Sequence, residues 1–167
     1  MSVTKIAVYP GTFDPVTYGH IDIIKRASRI FGKVIVAVAH NEEKGVLFSA
    51  DERVAMLKYA VKGIKNVVVR DFSGLVVDYV RKSGSNVMIR GLRMISDFEY
   101  EFQMALTNRK LSKDIETIFM MPHEDYSYVS SKLIKEAASL GADVRIFIPR
   151  RVETALKAKL KENRGGF

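Results

Sequence analysis

Five short apolar runs recur along the chain: Ile6–Tyr9, Val34–Ala39, Val67–Val69, Val87–Ile89 and Ile118–Met121. They are rich in Val and Ile and continuous rather than alternating, so each reads as a strand with both faces buried. A parallel sheet covered by helices on both sides produces that pattern. The intervening segments have helix length: Tyr18–Phe31, Ala50–Lys62, Leu75–Ser83 and Ser96–Leu111, with Ser130–Leu140 and Val152–Lys161 after the last run. Strict alternation of strand and helix builds βαβ units with right-handed crossovers, and the expected fold is an α/β, doubly wound, five-stranded parallel sheet. Two helix starts carry a Ser-x-x-Glu capping box, Ser49 with Glu52 and Ser96 with Glu99.

At 167 residues the chain suits a single domain over 1–167, with a basic C-terminal helix at about 150–164. It has no cysteine, which excludes disulfides, thiolate nucleophiles and thiolate metal sites. The N-terminus shows no export signal and no apolar stretch approaches membrane-helix length, so the expectation is a cytoplasmic protein that makes no contact with membrane. The formal charge of +8 favours phosphate-bearing partners. Half of that excess lies between Arg150 and Arg164, and it reads as a solvated helix face rather than a nucleic-acid arm. Phe98, Phe102 and Ala105 form one apolar stripe of a helix, while Tyr100 and Met104 fall on another. Such a helix is either sandwiched in the core or packed on a second subunit.

The chemistry-bearing residues gather where the apolar runs end. After the first run comes Pro10-Gly11-Thr12-Phe13-Asp14-Pro15-Val16-Thr17-Tyr18-Gly19-His20, then a helix. A strand end, small turn residues and a helix N-terminus make an anion site, with the Thr12 hydroxyl and the His20 imidazole beside it. Ligands of open α/β sheets bind at the carboxyl ends of strands. Those ends supply Thr12, then Lys44, then Ser73 and Gly74, then Arg90 and Arg93, then Tyr126–Lys132. Arg90-Gly91-Leu92-Arg93 sets a glycine between two guanidiniums, which permits close approach and bidentate phosphate contacts. Ser130 and Ser131 suit either ordinary helix capping or a polyphosphate. His40 and His123 read as bystanders, and Asp14 as a turn-stabilising acid. The chain has no Walker loop, GxGxxG, GxSxG or HExxH, so P-loop, dinucleotide, serine-hydrolase and zincin chemistry fall away.

Tyr9–Pro15 with Thr17-Tyr18-Gly19-His20, Ile89–Arg93 followed by Asp97–Glu101, and Ser127–Ser131 together resemble the bacterial phosphopantetheine adenylyltransferases, over about Lys5 to Leu160. The resemblance implies a Rossmann-like nucleotidyltransferase fold. It also implies reversible transfer of an adenylyl group from ATP to 4′-phosphopantetheine, giving dephospho-coenzyme A and pyrophosphate. Mg²⁺ is the expected companion of ATP, with unknown ligands. By the same resemblance the catalytic residues are His20, Thr12, Lys44 and Arg93, and the pantetheine substrate meets Thr12, Lys44, Val76 and Arg90. ATP falls to Thr12, Phe13, His20, Gly91, Leu92, Arg93, Glu101 and the stretch Tyr126, Ser127, Tyr128, Val129, Ser130, Ser131 and Lys132. Family members form homohexamers and can be inhibited by coenzyme A, and no nucleic-acid partner is expected. Lys132 stands where the family commonly has a serine or threonine, and Gly74 where it often has an acid. The rival readings are a sister nucleotidylyltransferase with another phosphorylated acceptor, a non-catalytic nucleotide-binding regulator, and a nucleic-acid-binding module.

Overall fold

The computed structural model describes residues 5–40 and 45–164. Its five strands are β1 (Ile6–Gly11), β2 (Lys33–Ala39), β3 (Val67–Phe72), β4 (Val87–Gly91) and β5 (Glu116–Met120). The helices are α1 (Tyr18–Ile30), α2 (Ala50–Ala60), α3 (Val76–Lys82), α4 (Ile95–Leu111), α5 (Ser131–Ser139) and α6 (Arg150–Arg164), with a 3-10 turn at Glu124–Tyr126. The sheet runs in the order β3-β2-β1-β4-β5, and every neighbouring pair is parallel. The expected doubly wound, Rossmann-like fold is therefore present.

Side chains of the central strands alternate between two cores, as the pleat requires. Ala7, Tyr9, Val34, Val36, Val38 and Ile89 enter one cluster with Ile24, Leu57, Ile134 and Leu156, from α1, α2, α5 and α6. Val8, Ile35, Ala37 and Met88 enter the other with Val77 and Val80 of α3 and with Ile115. Apolar residues at consecutive strand positions are thus accounted for by burial on both sheet faces.

Several local expectations change. Strands β1 and β3 continue to Gly11 and Phe72, beyond their apolar runs, because the parallel ladder with β2 carries them on to Val38 and Ala39. Helix α6 begins at Arg150, ahead of its apolar pattern. Ser49 and Glu52 close a capping box at α2 as expected. Ser96 and Glu99 do not. Helix α4 starts at Ile95 with Met94 as its N-cap and no side-chain cap, so Ser96 already lies inside the first turn.

Helix α4 also resolves the question of its two stripes. Its buried residues are Glu101 and Asn108, whereas Phe98, Tyr100, Phe102 and Leu106 are each at least 45% exposed. The helix is not sandwiched in this chain's core. It turns polar groups inward and its aromatic residues outward, the reverse of an ordinary surface helix.

At the end of β1 the backbone folds back on itself. Phe13 adopts φ +52°, a left-handed conformation uncommon for an aromatic residue, and its ring is buried over Gly11. A Cβ on Gly11 would lie 2.9 Å from two Phe13 ring carbons, so only glycine accommodates this turn.

Candidate active site

Strand β1 lies between β2 and β4. The chain leaves β1 toward β2 and β3 on one side, and β4 and β5 fill the other, so the strand order reverses between β1 and β4. Connections departing in opposite directions leave a crevice beyond the carboxyl ends of these strands. Two cavities occupy it, of about 480 Å³ and about 410 Å³. They share Pro10, Gly11 and Thr12 from the end of β1, Arg90 from β4 and Glu101 from α4. The sequence expectation that the strand ends meet at a common rim holds for Thr12, Arg90 and Arg93. Lys44 lies outside the described residues.

His20 lines the larger cavity and is held by the chain on its own helix start. The Thr17 hydroxyl accepts from the His20 backbone N–H at 3.3 Å, while the Thr17 backbone N–H donates to His20 Nδ1 at 3.0 Å. This is a reciprocal capping box with histidine in the place usually taken by glutamate or glutamine. A backbone N–H can only donate, so Nδ1 carries a lone pair and the proton of the neutral ring sits on Nε2. Phe13 fixes the ring further by an edge contact, with centroids 5.0 Å apart. Burial, with Arg93 and Arg90 close by, pushes the imidazole pKa down to about 3. The site therefore presents a neutral N–H donor surrounded by cations.

The two arginines of Arg90-Gly91-Leu92-Arg93 are both engaged. Arg90 Nε and Nη2 donate to the two carboxylate oxygens of Glu101 at 2.8 and 2.6 Å, and Nη1 donates to the Pro10 carbonyl at 2.9 Å. Glu101 is buried, which makes this bidentate pair part of the wall between the cavities. Arg93 donates to the Val129 carbonyl at 2.9 Å and to Asp97 at 3.2 Å. It thereby ties the end of β4 to the entrance of α5. Leu92 bonds through its backbone N–H to the Met120 carbonyl and is absent from the cavity lining, whereas Gly91 is part of it.

Of Tyr126–Lys132, the cavity takes only Val129, Ser130, Ser131 and Lys132. Tyr126 packs against Tyr18, and Tyr128 against Phe147. Ser130 is the N-cap of α5, its Oγ accepting from Leu133 N–H, and Ser131 Oγ donates to the Pro15 carbonyl at 2.7 Å. Their hydroxyls have partners within the protein, and what α5 also offers is the set of first-turn N–H groups that no helix satisfies internally. On the far side, Val76, His40, Phe72, Ser73, Gly74 and Leu75 line the smaller cavity. Gly74 has φ +85°, in the left-handed region that favours glycine. His123 caps the short 3-10 turn, outside both cavities.

Sequence reasoning missed two cations. Lys135, one turn into α5, lines the larger cavity and contacts Asp14 Oδ2 at 2.5 Å. Asp14 is buried and also accepts from the backbone N–H groups of Leu47 and Phe48, at 2.9 Å each. It braces the approach to α2 rather than its own turn alone. Arg53 of α2 is buried below the end of β1 and donates to the Thr12 carbonyl at 2.8 Å. The Ser-Ser pattern with a cation four residues on could have drawn attention to Lys135. Nothing in the sequence distinguishes Arg53 from an ordinary surface cation on a helix.

A parallel sheet of this order, with a cation-lined crevice at its switch point, is the architecture of the nucleotidyltransferases. The cytidylyltransferase-like family model matches residues 8–137. The structure of Plasmodium falciparum nicotinic acid mononucleotide adenylyltransferase complexed with NaAD shares the fold, with a TM-score of 0.70 at 12% identity over 98% of this chain and 97% of that one. A phosphopantetheine adenylyltransferase from Geotalea daltonii is 56% identical over 155 residues, 93% of this chain and 96% of the relative. One from Heliobacterium modesticaldum is 53% identical, covering 92% of each. The chain belongs to the phosphopantetheine adenylyltransferase family.

The state of His20 is directly measurable. Nitrogen NMR of the imidazole is expected to show the neutral Nε2–H tautomer at pH 7 and still at pH 5. An unfolded histidine takes its proton near 6.5 and the folded one only near 3, so between those values the unfolded chain binds more protons. This residue's contribution therefore makes stability fall as the pH drops through that window. A titration with a midpoint near 6.5 in the folded protein would contradict the assignment.

Proposed function

We propose that this chain transfers the adenylyl group of ATP to 4′-phosphopantetheine, releasing pyrophosphate and forming dephospho-coenzyme A. The observation that carries the reading is the meeting of two cavities at Thr12 and Arg90, with the His20 donor in one of them. The larger cavity, with Arg90, Arg93, Lys132 and Lys135 around it, suits a nucleoside triphosphate. The smaller continues from the same anion-binding wall onto Phe72, Leu75, Val76, Met88 and Met104. That combination fits an acceptor with a phosphate at one end and a long, weakly polar arm.

An oxygen of the acceptor phosphate attacks the α-phosphorus of ATP, and the bond to the bridging oxygen breaks as pyrophosphate departs with the electron pair. The attacking oxygen is already ionised near neutral pH, so no general base and no covalent enzyme intermediate is required. Catalysis consists of aligning two mutually repelling anions and stabilising the charge gathered on the α-phosphate. His20 Nε2–H would donate to an α-phosphate oxygen. Thr12 and Lys44 would hold the attacking phosphate, Arg90 would meet the pantetheine substrate, and the Val76 backbone would follow the pantetheine arm. Arg93, the α5 N-terminus and Lys132 would receive the β- and γ-phosphates, beside Phe13 and Gly91.

Mg²⁺ is best written as part of the nucleotide substrate. Among the described residues no three acidic or histidine side chains form a metal cluster. The nearest acids are occupied by donors: Asp14 by Lys135 and two backbone N–H groups, Glu101 by Arg90. Mg²⁺ takes most of its ligands from phosphates and water in such sites. Among the described residues no helix is long and apolar enough to cross a membrane, and a cytoplasmic location is proposed.

Incubation with ATP and a panel of acceptors, following pyrophosphate release, tests the reaction. Turnover with 4′-phosphopantetheine is expected, while turnover with nicotinamide mononucleotide alone would contradict the substrate. For His20→Ala, a fall in kcat of about 10²–10³-fold is expected, the scale of a lost transition-state donor, with ATP affinity little changed.

The exposed face of α4 supports a second proposal, that copies of the chain associate there into the hexamer implied by the family resemblance. Phe98 and Phe102 stack in parallel with centroids 5.6 Å apart and stand about half exposed. A pair of this size left in water is unfavourable for a monomer. Sedimentation is expected to show an oligomer that Phe98→Asp with Phe102→Lys breaks into smaller species. A wild-type monomer at micromolar concentration would contradict it.

A further inference from the structure

Among the described residues, Arg53 is the one buried cation that the reaction as described does not use. It is 2% exposed, on the side of α2 that faces the sheet. Its Nε donates to the Phe48 carbonyl at 3.0 Å and the Ser49 carbonyl at 3.3 Å, and its Nη1 donates to the Thr12 carbonyl at 2.8 Å and the Ala39 carbonyl at 2.9 Å. These acceptors mark the exit of β1, the exit of β2 and the entry to α2. None of these acceptors is a carboxylate, and the nearest acid, Asp14, acts on the guanidinium through space.

A buried cation that served stability alone would be better paired with a carboxylate, or replaced by an apolar side chain, because removing a charge from water is costly. The feature that distinguishes this guanidinium is where its donors go. Thr12 belongs to both cavities and Ala39 to the smaller one. A planar fork with fixed donor directions holds such carbonyls at a set separation, which a flexible ammonium cannot do.

We propose that Arg53 is a positioning residue for adenylyl transfer: by clamping the carbonyls of Thr12 and Ala39 together it sets where Thr12 stands between the two ligands. The inference rests on the reaction proposed above and deepens it. Arg53 lines neither cavity and acts through the Thr12 backbone. A displacement of about 1 Å at a site that aligns two reacting groups can cost about 10²-fold in rate.

The test compares Arg53→Lys, Thr12→Val and the double variant, each checked by thermal melting. Arg53→Lys keeps the charge but not the fork. A fall in kcat of about tenfold or more is expected, with KM for ATP within about threefold, because alignment rather than nucleotide binding is lost. The double variant is expected to be no slower than Thr12→Val alone, since both changes act at the same point. Hydrogen exchange at residues 11–13 is expected to quicken in Arg53→Lys while β4 stays protected.

Wild-type kcat in a folded Arg53→Lys, losses that multiply in the double variant, or unchanged exchange at residues 11–13 would each overturn the proposal. If Arg53→Lys does not fold, Arg53→Ala with millimolar methylguanidinium replaces it. Recovered melting temperature with recovered kcat supports the clamp, and recovered melting temperature alone contradicts it. If the wild-type chain does not turn over ATP with 4′-phosphopantetheine, the reaction reading fails, and the exchange measurement still decides whether Arg53 positions Thr12.

Discussion

The structure depends on β1 lying in the sheet with β2 on one side and β4 on the other. Parallel strands send every carboxyl end to the same edge, and the reversal of strand order at β1 opens that edge between Thr12 and Arg90. The turn after β1, the cations after β4 and the N-terminus of α5 come from distant parts of the chain. They become neighbours only because the sheet is wound in both directions. The apolar residues at consecutive positions of β1 and β2, each buried in one of two cores, anchor the strands that end at this edge.

On that edge the electrostatics divide into two kinds. Arg90, Arg93, Lys132 and Lys135 make the larger cavity attractive to polyphosphate, and two of them are already tied down by Glu101 and Asp14. Ordered cations stabilise a developing charge without having to reorganise during the reaction. Burial, with Arg93 and Arg90 of that set beside it, keeps His20 neutral. A neutral imidazole holds its Nε2 proton and can donate a directed hydrogen bond without adding another positive charge. Arg90 and Arg93 thus add to the positive field of the cavity and also help to hold the His20 ring uncharged.

Much of the fold was legible because its central strands are buried on both faces, which leaves an unmistakable run of Val and Ile. The ends were less so: Arg70 and Asp71 extend β3 only because β2 is there to pair with them. The Ser96-x-x-Glu99 pattern misled because it is purely local, and the helix already begins at Ile95 with Met94 as its N-cap. Conversely, the Thr17–His20 capping box escaped notice because histidine does not belong to the usual pattern. Arg90 was legible as a rim residue and Glu101 only through the family resemblance, and their pairing across 11 positions needed the placement of α4 beside the end of β4. Arg53 was invisible, since burial of a helical arginine depends on which carbonyls the fold brings to it.

The central claim is direct transfer between two ligands held on opposite sides of Thr12 and Arg90, with no enzyme-bound adenylyl group between them. The stereochemistry at the α-phosphorus tests it most directly. With ATP made chiral at that phosphorus by sulfur substitution, a single in-line displacement predicts dephospho-coenzyme A of inverted configuration. Net retention would require two displacements, and with them a covalent intermediate that this site has not been given.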